Sequence, residues 1–351
     1  MISTENIAWF ADIGLADRLS VGGKGGSLGE LTKAGIDVPP GFVVTTAAFE
    51  RFVAELEKQA PLRARIAELD GTDLAAVTET SRQVRDRVER AALPADLRGE
   101  ILAAYSSLCG NGGDPVAVRS SATTEDSEEA SFAGLQDTYL WVIGGDAVLA
   151  MVRRCWASLY SVESVTYRLR HGLAEDNVAM AVVVQAMVDA RTAGVMFTRS
   201  PATGDRSVVT IEGAWGLGSA VVSGEVTPDH WVVAKITGEI PVREISDKHI
   251  RQSPRREGGT EELPVDDEDR RAPCLSDAEL LQLKDVALKV ERHYRRPQDI
   301  EWAFDRATGR LLLLQSRPGT VWAQKEAEAA PLATAQADPL AHVMAIFGGR
   351  K

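Results

Sequence analysis

Asp299, Glu301, Gln315 and Arg317 occupy alternate positions in the stretch QDIEWAFDRATGRLLLLQSRP. The pattern predicts a β-hairpin turning at DRATG, in which Asp299 and Glu301 point to one face of one strand and Gln315 and Arg317 to one face of the other. A pairing register of even parity puts all four side chains on one surface. Two carboxylates and a carboxamide are hard oxygen ligands suited to Mg2+, and an arginine beside them can neutralise phosphate oxygens bidentately. The plain alternative is a solvated, ion-paired edge. Against it, Ile300, Trp302 and Phe304 bracket the acids and the returning strand is a run of leucines, so the polar set emerges from a buried sheet.

Three further places carry groups suited to a polyphosphate or a base. VGGKGGSLGEL, Val21 to Leu31, sets five glycines around Lys24 just ahead of a helical pattern. Unpaired N–H groups and the dipole at a helix start favour an anion there, although a flexible turn with a solvated lysine fits equally. AVRSSATTEDS places Arg119 at the end of an apolar strand, before a hydroxyl-rich acidic loop. That arginine suits a polyphosphate, or else pairs locally with Glu125 or Asp126. In FAGLQDTY, Gly134 and Thr138 let backbone approach a phosphate. The apolar run VVVQAMV could offer backbone N–H and C=O groups at Gln185 to Met187 to an adenine edge, or be a plain core strand. Neither the GxGxxG fingerprint nor a P-loop is present, since GAWGLG has the wrong spacing and VGGKGGS lacks the four-residue spacer.

The elements that must position these groups read as mixed α/β. A helix over GGSLGELTKAG ends at Gly35, and DVPPGFVVTT gives a turn, a buried strand and Thr46 as the cap of the next helix. Surface helices fill Pro61 to Gly110, strands flank the acidic loop, helices follow Ala147, and NVAMAVVVQAMV and AGVMFTRSP are strands. Residues 246–275 read as an exposed connection. Ser276 and Glu279 have capping-box spacing at the start of SDAELLQLKDVALKVERHY. The tail from Ala323 reads as a linker with one short amphipathic segment.

With 351 residues, 44% hydrophobic and 26% charged, the chain has the make-up of a globular protein of two or three subdomains. A net charge of −12 argues against nucleic acid or an anionic membrane as the main partner. Cys109, Cys155 and Cys274 lack metal or disulfide spacing, which favours a reducing cytoplasm, and no apolar run approaches the length of a membrane span.

Taken together, GGKGGSLGEL, VPPGFVVTT, AVRSSATTEDSEEASFAGLQDTYL, GVMFTRSP and DIEW with LLLLQSRP occur in the order seen in the phosphoenolpyruvate synthase and pyruvate phosphate dikinase family. From Ile13 to Gly319 the chain resembles that family's N-terminal nucleotide-binding domain, an ATP-grasp-type fold shared with rifampin phosphotransferase. The resemblance implies a two-lobed fold with the ATP cleft between lobe 1–183, carrying Lys24 and Arg119, and lobe 184–322, carrying the hairpin. Residues 323–351 would be a linker with a possible partner-docking role. It implies that Lys24, Arg119, Gly134 and Thr138 contact the ATP phosphates, that Gln185 and Met187 line the adenine, and that Glu301 and Gln315 hold Mg2+ with Asp299 beside them. Arg317 would stabilise the phosphoryl group in flight, completing Lys24, Arg119 and Arg317 as the catalytic set.

In that family a pyrophosphoryl group passes from ATP to a histidine on a swivelling domain, and AMP is released. None of the five histidines here, His171, His230, His249, His293 and His342, resembles that acceptor, and no substrate barrel is present. The expectation is therefore an ATP-binding subunit that phosphorylates a histidine on a separate partner subunit. Among split relatives the analogue is the ATP subunit of phenylphosphate synthase, whose acceptor is phenol; a split phosphoenolpyruvate synthase and an antibiotic phosphotransferase are the same-class alternatives. A non-catalytic adenylate sensor or scaffold is the alternative of another class.

Overall fold

In a computed structural model that describes residues 5–110, 113–123 and 137–319, the chain forms two lobes, each built on an antiparallel sheet. Gly134 and the tail 323–351 lie outside the described residues.

The first lobe runs through β1 (Ile7–Trp9), α1 (Arg18–Lys33), β2 (Gly41–Val44), α2 (Thr46–Glu57), α3 (Arg63–Ala67), α4 (Leu74–Arg90) and α5 (Ala95–Cys109). It continues through β3 (Val116–Ala122), β4 (Thr138–Val142), α6 (Gly145–Ser158), α7 (Val162–His171) and β5 (Met180–Ala186). Its five strands pair in the order β1-β2-β5-β3-β4. One face of this sheet (Phe42, Val44, Val116, Val118, Val182, Val184) packs on the helices from α2 to α7, around Phe49, Phe52 and Trp156. The other face (Val43, Ala181, Val183) packs on Val21 and Leu28 of α1. Burial on both faces explains why β5 is an unbroken apolar run even though both its neighbours are antiparallel.

The second lobe contains β6 (Ala190–Phe197), β7 (Val208–Trp215), α8 (Ser219–Val222), β8 (Asp229–Ala234), β9 (Val242–Glu244), β10 (Ile250–Pro254) and β11 (Thr260–Pro264). It ends with α9 (Asp267–Arg270), α10 (Asp277–Tyr294), β12 (Gln298–Asp305) and β13 (Leu311–Pro318). The main sheet has the order β13-β12-β6-β7-β8-β9. One face carries Trp231, Ile300, Trp302 and Phe304 against Leu280, Leu283 and Ala287 of α10. The expected two-lobed mixed α/β architecture is met. The sheets change over at 187–189, a few residues past the expected division at 183/184, because β5 stays paired with β2 and β3 through Gln185 and Ala186.

Two local readings are corrected. The cap of α2 is Thr45, whose hydroxyl accepts from the Ala48 N–H, and Thr46 is the first helical residue. Residues 246–275 are not an exposed connection. They hold the β10–β11 hairpin and a fully buried ion pair, with Lys248 Nζ 2.6 Å from Asp229 Oδ1. Asp229 also accepts from the N–H groups of Ser246 and Cys274, so the segment is fastened to β8 from inside. A charge-rich composition hid this because the anchoring lysine looks like any surface lysine in sequence. The Ser276 capping box on α10 forms as expected.

Candidate functional site

The lysine of the glycine-rich stretch is placed by a break in its helix. α1 leaves helical geometry at Gly22, where φ is +70°, and resumes at once. A Cβ on Gly22 would lie 2.2 Å from the Ser121 carbonyl oxygen, so only glycine lets α1 approach β3 this closely. The Ser121 hydroxyl stitches the break, donating to Val21 O at 2.9 Å and accepting from the Gly25 N–H at 3.2 Å. Ser121 and Arg119 are two apart on β3 and face the same side. The contact that breaks the helix thereby fixes the start of the Lys24 helix against the strand of Arg119, and both side chains are buried.

The hairpin faces them from the other lobe. β12 and β13 pair Asp299 with Arg317 and Glu301 with Gln315, the even parity that puts all four on one face. Arg119 crosses between the lobes: its Nη2 donates to Glu301 Oε2 at 3.0 Å and to Gln315 Oε1 at 2.7 Å, and Nη1 donates to the Leu314 carbonyl at 3.2 Å. The alternative partners read from sequence, Glu125 and Asp126, lie outside the described residues. Arg317 is about half exposed, at 52%, and its Nε is 3.5 Å from Asp299 Oδ2.

Between the lobes lies a cleft of about 430 Å³, bordered by Lys24, Arg119, Thr138, Gln185, Met187, Glu301, Gln315 and Arg317. These residues come from both sheets and from α1. Asp299 stands beside the cleft, partnered by Arg317, rather than on its lining. Lys24, Arg119, Glu301 and Arg317 bring charge to the lining, Thr138, Gln185, Ser219 and Ser223 bring neutral polar groups, and Ala117, Val188, Leu217 and Leu314 bring apolar surface. A ligand that combines an anionic part with a flat, weakly polar part matches this mixed lining.

The strand connecting the lobes presents fewer donors than its sequence suggests. The Ala186 N–H is bound to Pro40 O and the Met187 N–H to Pro115 O, while Gln185 Nε2 donates to Pro39 O at 3.3 Å. The N–H groups of Ala186 and Met187 are thus spent within the protein.

Sequence reasoning misses the wall formed by Leu217, Gly218, Ser219 and Val222. Its signal is the glycine-rich GAWGLGSAVV, which fits no nucleotide motif. Here the glycines serve a tight junction: Gly216, at φ +79°, abuts the Gln252 carbonyl.

Among the described residues no group of three or more His, Cys, Asp or Glu is disposed to hold a metal ion. The donor set nevertheless suits Mg2+ that arrives with phosphate ligands, because such an ion needs only one or two protein carboxylates. Glu301 Oε2 and Gln315 Oε1 already converge on one cationic nitrogen, that of Arg119. Among the described residues no helix is long and apolar enough to cross a membrane.

Known proteins of similar sequence show the family of the chain. A probable phosphoenolpyruvate synthase of Methanothermobacter thermautotrophicus is 44% identical over 317 residues, covering 90% of this chain and 46% of its own. A rifampicin phosphotransferase from Streptomyces is 42% identical over 312 residues, covering 88% of this chain and 35% of its own. The chain thus spans less than half the length of these curated relatives. Among solved structures, D-alanyl-alanine synthetase A from Vibrio cholerae aligns over 69% of this chain and 54% of its own at 12% identity, with a TM-score of 0.24, too loose an overlap to bear on function. The family defined by the pyruvate phosphate dikinase AMP/ATP-binding domain matches residues 18–338, and the chain belongs to that family.

Proposed function

We propose that the chain is the ATP-binding catalytic part of a dikinase-type phosphotransferase with an ATP-grasp-type cleft. The carrying observation is that Lys24, Arg119, Glu301, Gln315 and Arg317, from three separate parts of the sequence, border one cleft that also carries apolar surface from Ala117, Val188 and Leu217. In this reading the adenine lies on the wall from Gln185 to Val188 and the triphosphate points to the charged end. Lys24 and Arg119 bind phosphate oxygens. Glu301 and Gln315, with Asp299 beside them, would hold Mg2+, which when bound neutralises phosphate charge. Arg317, the most solvent-accessible of the cations, meets the phosphoryl group as it leaves toward the acceptor. Transfer of this kind depends on positioning and charge neutralisation more than on covalent help from the protein.

The reaction proposed is attack of an acceptor imidazole on the β-phosphorus of ATP, which breaks the α–β anhydride, releases AMP and leaves pyrophosphohistidine. Hydrolysis of that species yields phosphohistidine and phosphate. The histidine is placed on a separate partner subunit, with phenol as the final acceptor by resemblance to phenylphosphate synthase. The similarity to rifampicin phosphotransferase supports a second reading, in which the final acceptor is an antibiotic hydroxyl.

The experiment is to incubate the chain and its co-purifying proteins with β-labelled ATP. Acid-labile, base-stable label on a histidine, with AMP as the nucleotide product, is expected. Bound ATP with no label transferred and no AMP formed would favour a sensor or scaffold instead.

A further inference from the structure

We infer that Arg119 is a latch on the cation site of the cleft, so that the site takes a divalent cation only together with a nucleotide. The inference rests on reading the cleft as the nucleotide site. It adds what that reading does not contain: an order of entry and a competition between a cationic group of this chain and the incoming ligands.

One guanidinium nitrogen, Arg119 Nη2, lies 3.0 Å from Glu301 Oε2 and 2.7 Å from Gln315 Oε1. These are oxygens with which a hard cation would be held. The ion pair is largely shielded, its side chains 11% and 30% exposed, and its second nitrogen is tied to the Leu314 carbonyl. A cation arriving alone must therefore expel a fixed positive charge from both oxygens at once.

The latch is also incompletely satisfied. Arg119 Nε is buried and makes no hydrogen bond, an unfavourable state for a charged donor group. Phosphate oxygens entering beside Lys24 offer the guanidinium acceptors of higher charge, and a planar guanidinium binds phosphate bidentately. Turning to phosphate would relieve the orphaned donor and release Glu301 and Gln315 in one movement. Because Arg119 belongs to the first lobe and its partners to the second, the exchange also replaces a direct tie between lobes with one made through the ligand. Nucleotide and cation must then favour each other's binding by the same factor, beyond their association in solution.

The test is Mn2+ binding followed by water-proton relaxation, without nucleotide, on the wild-type chain and on Arg119→Ala. The latch predicts that the variant binds free Mn2+ on the order of tenfold more tightly than the wild type. Arg317→Ala removes a positive charge from the cleft lining and frees Asp299, but leaves Glu301 and Gln315 engaged by Arg119, and should change free Mn2+ binding far less. Equal Mn2+ affinity in wild type and Arg119→Ala, or an equal gain in Arg317→Ala, overturns the latch. Arg119→Met, which keeps the aliphatic stem, is measured by the same criterion if the alanine variant does not fold. An ATP titration of the wild type with Mg2+ present separates the two readings: absent ATP binding would defeat the nucleotide site, whereas the hold of Arg119 on Glu301 and Gln315 is judged by free Mn2+.

Discussion

The Ser27 hydroxyl donates to the Ser316 carbonyl across 2.6 Å, fastening the helix of Lys24 to the strand that carries Gln315 and Arg317. Tyr294 adds its hydroxyl to the same joint, within 3.3 Å of Ser27 Oγ. The two halves of the charged end are thus set against each other by neighbours of the charged residues. Ser27→Ala should cost about 1 kcal/mol and lower the melting temperature by about 2–4 °C. It should also weaken ATP binding several-fold although Ser27 is assigned no contact with ATP. Thermal melts and an ATP titration on the same preparation check both.

The break at Gly22 makes a sharper prediction. Alanine there must adopt φ +70° and also displace the Ser121 backbone, so Gly22→Ala should cost more than about 2 kcal/mol and abolish nucleotide binding. Gly35 has a similar φ, +63°, but a Cβ there would meet nothing within 4 Å. Gly35→Ala should cost only about 1 kcal/mol and leave nucleotide binding intact. Chemical denaturation of the two variants gives the comparison.

Arg317→Ala should abolish most phosphoryl transfer while leaving much of the ATP affinity, because an exposed arginine at the open end contributes chiefly as charge moves. Single-turnover transfer from labelled ATP, beside equilibrium binding, separates the two quantities. Equal losses in both would mean that Arg317 holds the ground state as well.

Lys248→Met leaves the fully buried Asp229 carboxylate without its counter-charge. Breaking such a pair costs about 3–5 kcal/mol, and denaturant unfolding should show a loss of that size. The pair lies outside the cleft lining, so the KM for ATP of the folded fraction should stay within error of the wild type.

The chain's thiols should be inert in the native state. Burial pushes Cys109 up to about 11, and burial likewise raises Cys155 and Cys274. A thiol whose folded value lies above its unfolded one stabilises the fold fully at pH values below the unfolded value, near 8.5. That contribution is lost as the pH rises toward the folded value. A disulfide reagent at about pH 8 should react slowly with native protein and rapidly with all three cysteines after unfolding.

Much of the site was legible because alternation is a strong signal. The spacing of Asp299, Glu301, Gln315 and Arg317 put each pair on one face of its strand and all four on one surface if the register had even parity, and the pairing has that parity. The helix break at Gly22 was not legible, since it exists only through contact with Ser121, about a hundred residues away. The same holds for the Arg119 bridge to Glu301, where sequence offered only neighbouring acids. The 246–275 segment misled because buried and solvated charges have the same composition, and only the partner, Asp229, distinguishes them. Hydrogen bonds from Ala186 and Met187 to two prolines were equally invisible, as they depend on which loops flank β5.

The central claim is that the cleft between the two sheets holds the nucleotide, base on the apolar wall and phosphates at Lys24 and Arg119. Photolabelling with an azido-adenine analogue of ATP, followed by peptide mapping, tests it most directly. Label should fall on peptides containing Gln185 to Val188 or Leu217 to Val222, and excess ATP should suppress it. ATP-protected label confined to surfaces away from both segments would contradict the account.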